Sequence, residues 1–316
     1  MYPLGYNINV LHKGLIIMLN NKTVCIFHQK SELFFCPDGI TSAAIANKFL
    51  PIDEFIAGTH NNNEEIINKI GVDNTIYFVD YSMKVKEIEI LGERNNVIVI
   101  DHHKSAQNEL SQVSSGIRKF FNMRKSGAGM TWDLLSSDTR PAFVDYIENG
   151  DLYLFDLPKA KEVCAGIYTL LSSPVVESLD EIFQKLESFW GYSQEKLINY
   201  FEPLGIEAKK IRDEKVAKLS ANAYPQTIKG AKVLVVEIDE SEANLASSIG
   251  YKLYTDNPEI DFAVIACTGT EQVFVSFRSD QKGNNFDCES IAKSFGGGGH
   301  RNACGCTVKN LTDLFD

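Results

Sequence analysis

The sequence predicts an α/β protein with two domains, and two observations carry that prediction. First, three short apolar runs in the first third of the chain are separated by segments with helical spacing, a pattern typical of strands buried on both faces of a parallel sheet. Second, a charged helical stretch separates this region from a further set of strands and helices. We predict a parallel-sheet N-terminal domain at residues 1–177, a helical connector at 178–222 and a smaller C-terminal α/β domain at 223–316.

The individual elements follow from the apolar patterning. Strands of the first domain are predicted at residues 24–27, 76–79 and 97–100, and helices at 41–49, 64–70 and 127–149. The apolar side chains of the last helical stretch, including Leu134, are expected to be buried. In the second domain, strands are predicted at residues 233–238, 262–267 and 273–277, and helices at 242–254 and 288–295.

Composition and charge limit the classes of partner. The 316 residues are 44% hydrophobic and carry a formal net charge of −11, which excludes disordered and collagen-like chains. Residues 223–316 hold 8 Lys and Arg against 13 Asp and Glu, so the second domain is not basic either. A protein that wraps long duplex normally carries a basic stripe. We therefore predict no long-duplex binding, and any nucleic-acid partner is expected to be short or gripped at one or two phosphates.

Hydropathy and cysteine usage predict a cytoplasmic protein without a membrane partner. The apolar run at residues 14–19 is far shorter than the roughly 20 residues of a membrane span, and residues 1–17 match no known pattern. The 7 cysteines are an odd number and lie mostly in apolar segments, as free thiols do in a reducing compartment. Cys304 and Cys306 lack both CxxC spacing and a second Cys/His pair, so a structural role is favoured for them.

Polar residues with metal-binding ability follow the three apolar runs of the first domain. His28 comes after the first run, Asp80 after the second, and Asp101-His102-His103 after the third. In parallel sheets ligands bind beyond the carboxyl ends of the strands, where these side chains are expected to converge. Carboxylates together with imidazoles suit manganese, iron or zinc better than calcium. A single Asp after a strand is usually only a turn or cap residue, so the argument depends on the whole set.

Four segments, in chain order, resemble the motifs of the DHH phosphoesterase superfamily. They are Pro37-Asp38-Gly39 with Ser42-Ala43, the strand end at Asp80, the triplet Asp101-His102-His103, and Glu148-Asn149-Gly150-Asp151. Near the C-terminus, the glycine run before His300, with Arg278 in the preceding strand, looks like the substrate-binding domain associated with that superfamily. The resemblance covers the chain from about residue 24 to about residue 308, and within the superfamily it is to nano-RNases and oligoribonucleases.

The resemblance implies a metal site and two catalytic residues. Asp38, Asp80, His102 and Asp151 would ligate a manganese ion, with Asp80 bridging to a second ion; Mg²⁺ or Co²⁺ are possible substitutes. Asp101 would orient the site through hydrogen bonds, and His103 would face the phosphate or transfer a proton. The chain has Cys36 where relatives with two metals usually have Asp, and its nearest upstream histidine is His28, ten residues before Asp38. His28 and Cys36 are therefore further candidate ligands, and the number of ions stays open between one and two.

The glycine run has its own rationale as a phosphate site. Without Cβ atoms, the backbone N–H groups of Gly297, Gly298 and Gly299 can approach an anion closely. His300 and Arg278 would add charge-assisted hydrogen bonds. These five residues are the predicted substrate-binding set.

The resemblance implies a hydrolase: a manganese-dependent phosphodiesterase of the exonuclease type, which cleaves short single-stranded oligonucleotides or small nucleotide phosphoesters between the two domains. One alternative is a phosphatase for 3′-phosphoadenosine 5′-phosphate or a phosphodiesterase for linear or cyclic dinucleotides. A third, motivated by Cys36 and the displaced His28, is a nucleotide-binding protein that has lost catalysis. The sequence leaves the oligomeric state open, with a homodimer as one option.

Overall fold

The computed structural model describes residues 21–31, 34–59, 61–171, 178–268 and 272–316. The predictions made for residues 1–17 and for the apolar run at 14–19 lie outside this part of the chain. The chain divides into two compact units, Met1–Ile206 and Glu207–Asp316, each with its own sheet. Among the described residues, none of the helices combines the length and the apolar character needed to span a membrane.

In the part of the chain that the structure describes, unit 1 is a six-stranded sheet with helices on both faces, as predicted for the N-terminal region. Its strands are β1 (Thr23–Ser31), β2 (Phe34–Phe35), β3 (Glu54–Gly58), β4 (Thr75–Val79), β5 (Asn96–Asp101) and β6 (Arg118–Phe121). Its helices are α1 (Pro37–Phe49), α2 (Asn63–Lys69), α3 (Val85–Gly92), α4 (Lys104–Gln112), α5 (Gly127–Leu135), α6 (Ala142–Asp151), α7 (Ala160–Leu171) and α8 (Leu179–Ser188). Helix α9 (Gln194–Ser220) contains the division between the units.

The register of the central strands brings their carboxyl ends to one level. Strands β1, β4, β5 and β6 lie side by side in parallel, β3 is parallel to β1, and the short β2 is antiparallel to the end of β1. Phe27 pairs with Val79, and Val79 pairs with Ile100. The residues that follow each of these, which include Asp80 and Asp101, therefore leave the sheet at the same edge, as the sequence predicts.

Both faces of the sheet are buried, which explains why its strands are apolar without alternation. Along β5, Val97 and Val99 enter the core on one face, while Ile98 and Ile100 enter the core on the other. All four side chains are at most 2% exposed. The sheet is therefore a rigid platform for the loops that follow its strands.

Two predictions for the stretch after the sheet need correction. The helix predicted at residues 127–149 is two helices, α5 and α6, because the chain is extended at Ser136 and at Pro141, where α6 begins. Proline lacks the N–H that a continuous helix would need. Leu134, expected to be buried, is 38% exposed, because it lies near the end of the short α5, where the helix leaves the core.

Unit 2 is a mixed sheet with helices, and it confirms the smaller C-terminal α/β region. Its strands are β7 (Tyr224–Ile228), β8 (Ala231–Asp239), β9 (Phe262–Thr268), β10 (Val273–Arg278), β11 (Gly298–His300) and β12 (Ala303–Val308), and its helices after α9 are α10 (Ala246–Asp256) and α11 (Cys288–Ser294). The strand order is β11-β12-β10-β9-β8-β7, in which β8 and β9 are parallel and the other neighbouring strands are antiparallel. The sequence predicts β8, β9 and β10 but not the other three, whose segments lack a sustained apolar run.

Candidate metal centre

Asp80 occupies the centre of the site because β4 ends there in an unusual backbone conformation. Its φ angle is 55°, in the left-handed region that Asp tolerates better than most side chains. The N–H of Asp80 still donates to the carbonyl of Ile100 at 2.9 Å, so the turn is tied to β5. The carboxylate is 1% exposed.

Asp38 is held by the N-terminus of a helix that is distant in sequence. It lies in the first turn of α1 and is 1% exposed. The N–H of Gly127 donates to Asp38 Oδ2 at 2.6 Å, and the N–H of Ala128 donates to Oδ1 at 2.9 Å. These are the first N–H groups of α5, which have no partner inside the helix and favour a negative charge. Both carboxylate oxygens of Asp38 therefore have a fixed direction.

Asp101 organises the triplet that ends β5. Its Oδ1 accepts the backbone N–H groups of His102 at 2.7 Å and His103 at 2.9 Å, and lies 2.8 Å from His103 Nδ1. Its Oδ2 accepts the hydroxyl of Ser82 at 2.6 Å. Asp101 thus orients the His103 ring through Nδ1, which also lies 3.8 Å from Asp80 Oδ1. A histidine ligand usually donates its other ring N–H to a carboxylate in this way.

Three carboxylates converge on one nitrogen of His102. Its Nε2 lies 3.1 Å from Asp80 Oδ1, 3.4 Å from Asp151 Oδ2 and 3.6 Å from Asp38 Oδ2. Asp151 is the last residue of α6. One ligand atom from each of Asp38, His102 and Asp151 lies within 4.8 Å of the others, so these residues could hold a metal ion.

A second group with the same property lies on the other side of Asp80. It consists of His28, Asp80 and His103, whose ligand atoms also lie within 4.8 Å of one another. His28 Nδ1 is 3.4 Å from Asp80 Oδ2, and its ring packs edge-on against that of His103 with centroids 5.3 Å apart. His28 lies beside Asp80 because β1 and β4 are adjacent parallel strands in which Phe27 pairs with Val79, and the antiparallel β1–β2 pair lies between His28 and Asp38 in the chain.

Cys36 lies beside Asp80 but belongs to neither of the two groups found among the described residues. It is the residue that precedes α1, and its thiol donates to Asp80 Oδ2 across 3.7 Å. Burial raises the pKa of this thiol well above its usual value, and the charges of Asp80 and Asp38 add to the rise. In the metal-free site the thiol is therefore neutral and orients Asp80, and its role as a metal ligand stays a prediction.

Three negatively charged carboxylates, those of Asp38, Asp80 and Asp151, lie close together in the site. Burial raises the pKa of the Asp38 carboxyl, and the charges of Asp80 and Asp151 raise it further. Burial and the charge of Asp80 likewise raise the pKa of Asp151. For Asp80, burial acts in the same direction, but the imidazoles of His102 and His28 outweigh it and lower the pKa. A cation would relieve this repulsion.

The two imidazoles of the triplet hold protons more tightly than a free histidine does. For both, burial alone would lower the pKa, but the neighbouring carboxylates outweigh it. The pKa of His102 is raised mainly by Asp80, followed by Asp151. That of His103 is raised from 6.5 to about 9 by its hydrogen bond with Asp101 and by the charge of Asp80.

The donor set fits a divalent metal. Asp80 Oδ1 and His102 Nε2 are both buried, and neither has a hydrogen-bond partner of acceptable geometry among the described residues. Buried polar atoms without partners are costly, and a cation between them would satisfy both. Carboxylate oxygens with imidazole nitrogens are the donors expected for manganese or a similar ion.

The sequence did not predict a supporting role for the residues that hold the ligands in place. Ser126 caps α5, and its own N–H donates to Glu148 Oε2 at 2.9 Å. Glu148 Oε1 in turn accepts from Arg140 Nη1 at 2.8 Å. Glu148 precedes Asp151 by one turn of α6, so this contact ties the helix that bears Asp151 to the helix that holds Asp38. The small-residue stretch Ser126-Gly127-Ala128-Gly129 at a helix start was the available signal.

In unit 2, Arg278 is tied to its own unit by hydrogen bonds. It ends β10, and its Nη1 donates to the carbonyls of Phe277 at 2.8 Å and Cys304 at 3.3 Å. Its Nε and Nη2 lie 3.4 Å and 3.2 Å from Ser247 Oγ. His300 ends β11 and is exposed.

The glycine run is more ordered than the open backbone nest that the sequence suggests. The N–H groups of Gly296 and Gly297 donate to the carbonyls of Lys293 and Ala292, which ends α11 as glycine commonly does. Gly298, Gly299 and His300 form β11, paired with β12. The N–H groups of Gly296 and Gly297 are therefore already used within the unit, because they complete the helix end.

A known family model matches most of the second unit. Residues 230–316 match the family model described as the DHHA1 domain. Uncharacterized protein R106 of Acanthamoeba polyphaga mimivirus is 30% identical to this chain over 258 residues, which are 79% of this chain and 57% of that protein. The chain thus spans little more than half the length of this curated relative.

Solved structures show the same fold at low sequence identity. A pGpG-specific phosphodiesterase from Vibrio cholerae aligns with a TM-score of 0.53 and 12% identity, covering 92% of this chain and 95% of that one. The DHH domain of a protein assigned to a family of ribosomal proteins aligns with a TM-score of 0.50 and 15% identity, covering 91% of this chain and 82% of that one. At such identities, the similarity is one of fold.

Proposed function

We propose that the chain, which shares its fold with a solved DHH domain and matches the DHHA1 family model over residues 230–316, is a metal-dependent phosphodiesterase. Its substrates are linear dinucleotides and short single-stranded oligonucleotides, and its metal is manganese. The observation that carries the proposal is the position of Asp80, with one carboxylate oxygen toward His102 and the other toward His28. Such a carboxylate can serve two ions at once, as in enzymes that cleave phosphate esters.

Two ligand groups support two ions. Asp38, His102 and Asp151 would hold the first, His28 and His103 would hold the second, and Asp80 would contribute one oxygen to each. The hydrogen bond between Asp101 and His103 Nδ1 supports a ligand role for His103 through Nε2, in addition to the contact with phosphate implied by the family resemblance. Imidazole ligands at both ions favour manganese over calcium or magnesium.

The residues of the chain would act mainly by holding the site in place. When bound, a divalent ion supplies Lewis acidity, which lowers the pKa of water to about 7 and makes hydroxide available at neutral pH. Asp101 and Ser82 fix the ring of His103, and the N-terminus of α5 fixes Asp38. Because these contacts are made before substrate arrives, little reorganisation is needed during the reaction.

The net charge of the chain and one structural neighbour both favour small substrates over long nucleic acids. A net charge of −11 disfavours long polyanions, which need many phosphate contacts. The Vibrio cholerae protein with the same fold is named as specific for pGpG, a linear dinucleotide. In unit 2, Arg278 and His300 are proposed to bind the terminal phosphate, together with Gly298 and Gly299, whereas the N–H of Gly297 already donates to the carbonyl of Ala292.

The proposal is tested by hydrolysis of a defined panel with Mn²⁺ and with excess chelator. The panel contains 5′-phosphorylated linear dinucleotides, RNA and DNA 5-mers, 3′-phosphoadenosine 5′-phosphate, cyclic dinucleotides and pyrophosphate. We expect manganese-dependent release of mononucleotides from the dinucleotides and 5-mers. Asp80→Asn should reduce this to background. Asp73→Asn is the matched control, because Asp73 also has a positive φ, 62°, but is exposed.

Two results would contradict the proposal. Cleavage that is unaffected by Asp80→Asn would show that the hydrolysis does not take place at the metal centre around Asp80. Tight binding of one panel member, without turnover of any, would identify a nucleotide-binding protein that has lost catalysis.

A further inference from the structure

Two cysteines of unit 2 lie in direct contact, remote in sequence from the metal ligands. Cys288 is the first residue of α11, and Cys304 lies in β12. Their sulfur atoms are 3.3 Å apart, with the Cys304 thiol donating to Cys288 Sγ. Both are free thiols, and they are 0% and 6% exposed. A disulfide has its sulfurs about 2.05 Å apart, so closing the bond needs a movement of only about 1.3 Å.

One cysteine of the pair, Cys304, lies in β12, the strand that pairs with β11, and β11 ends in His300. Cys304 faces Gly299 across the β11–β12 ladder, and its carbonyl accepts from Arg278 Nη1 at 3.3 Å. Cys288 makes two hydrogen bonds to Arg301: its N–H and its thiol both donate to the Arg301 carbonyl at 3.0 Å. A change in either sulfur therefore alters contacts of the segment between the two cysteines.

We propose that Cys288 and Cys304 form a reversible disulfide, so that unit 2 contains an oxidation site distinct from the metal centre. The bond would enclose the whole of α11 and β11 in one covalent loop. Peroxide is the class of oxidant, because a molecule of that size can reach nearly buried sulfurs through small local openings.

The reaction balances with one peroxide. The sulfur of Cys288 attacks one peroxide oxygen, the O–O bond breaks, and a water leaves after protonation, which makes Cys288 a sulfenic acid. The sulfur of Cys304 then attacks Cys288 Sγ and expels the second oxygen as water. In total, two thiols lose two protons and two electrons, and peroxide is reduced to two waters. Hydrogen bonds from the Cys304 thiol and, less strongly, the Ser279 hydroxyl favour the thiolate of Cys288 and lower its pKa, which suits it as the attacking sulfur.

Oxidation would also change the hydrogen bonding of the strand. In the disulfide, Cys288 loses its S–H, so the Arg301 carbonyl keeps the N–H of Cys288 but loses the thiol donor. The loop from Cys288 to Cys304 becomes closed at both ends, which restricts its motions. Amide hydrogen exchange between residues 296 and 302 should therefore slow in the oxidised form and return to its former rate with dithiothreitol.

Thiol counting and peptide mapping on the full chain test the proposal. After treatment with hydrogen peroxide and then catalase, the protein is denatured and alkylated, and its mass is measured. We expect loss of two of the seven reactive thiols, recovered with dithiothreitol. Trypsin should release one linked pair of peptides, residues 283–293 joined to 302–309.

The second peptide contains both Cys304 and Cys306, so matched variants assign the bond. Cys306→Ser should keep the linkage, because Cys306 is similarly buried, at 8% exposure, two residues further along β12. Cys304→Ser should abolish it. Absence of the linked peptides in the wild-type protein, or their persistence in Cys304→Ser, would overturn the proposal. The wild-type measurement stands even if a variant fails to fold.

Discussion

Gly127 lies so close to Asp80 that a Cβ at position 127 would collide with the Asp80 Cβ and lie 2.8 Å from its Oδ1. The same glycine donates its N–H to Asp38. The first residue of α5 therefore serves two carboxylates of the metal centre, one by leaving space and the other by hydrogen bonding.

Gly127→Ala should displace Asp80 without removing any polar group. The added methyl group meets the backbone and Cβ of Asp80, and overpacking of this kind typically costs about 1–3 kcal/mol. We expect a lower Tm and at least a tenfold weaker affinity for Mn²⁺, measured by calorimetry. Gly191→Ala is the control, because a Cβ there meets nothing within 4 Å. Unchanged metal affinity in Gly127→Ala would show that Asp80 need not keep its position.

Glu148→Gln tests whether the contact between α6 and α5 sets the ligand positions. The substitution removes one of two acceptor oxygens that serve Ser126 and Arg140. Loss of a group that supports a ligand typically weakens metal binding about 10- to 100-fold, and that is the expected change. Asp145→Asn is the control, since Asp145 also pairs with Arg140, at 3.5 Å, but is 44% exposed. Equal effects of the two variants would show that Glu148 acts only through its negative charge and not through its hydrogen bonds.

Metal counting separates the two ligand groups. We expect two Mn²⁺ per wild-type chain by elemental analysis and one in His28→Ala, because Asp38, His102 and Asp151 keep the first ion. His300→Ala, which removes an imidazole from unit 2, should still bind two. A wild-type count of one, unchanged in His28→Ala, would leave His28 as a hydrogen-bonding partner of the site.

Metal affinity should rise with pH. His103 holds its proton up to a pKa of about 9 in the metal-free chain, and a histidine must lose that proton to bind metal. The apparent affinity for Mn²⁺ should therefore increase from pH 6.5 to pH 9, with proton release on binding. Calorimetry in buffers of different ionisation enthalpy measures the protons released. A flat affinity over this range would contradict a ligand role for His103.

The stability of the metal-free protein should change in the opposite sense. The pKa of His103 is about 9 when folded and 6.5 in a model compound, so the folded state binds the proton more tightly. The stabilisation is present in full below pH 6.5 and is lost as the pH rises through about 9. Chemical unfolding in the presence of chelator should show this decline, and His103→Asn should flatten it.

Prediction from the sequence was reliable where local chemistry decides the structure. Apolar runs followed by Asp80 and by Asp101 placed β4, β5 and their polar ends correctly, because strands buried on both faces need apolar side chains throughout. It was less reliable for the glycine run before His300. Glycine has no side chain that would favour one backbone conformation. The sequence therefore could not distinguish an open loop from the end of α11 followed by a strand.

By itself, the sequence determined which side chains were available to a metal and that parallel strands would present them at one edge. The tertiary structure alone decided how they are held. Asp38 and Gly127 are 89 residues apart, and the donor is a backbone N–H, which any residue except proline carries. Contacts of this kind depend on chain geometry in space, and no residue type marks them in advance.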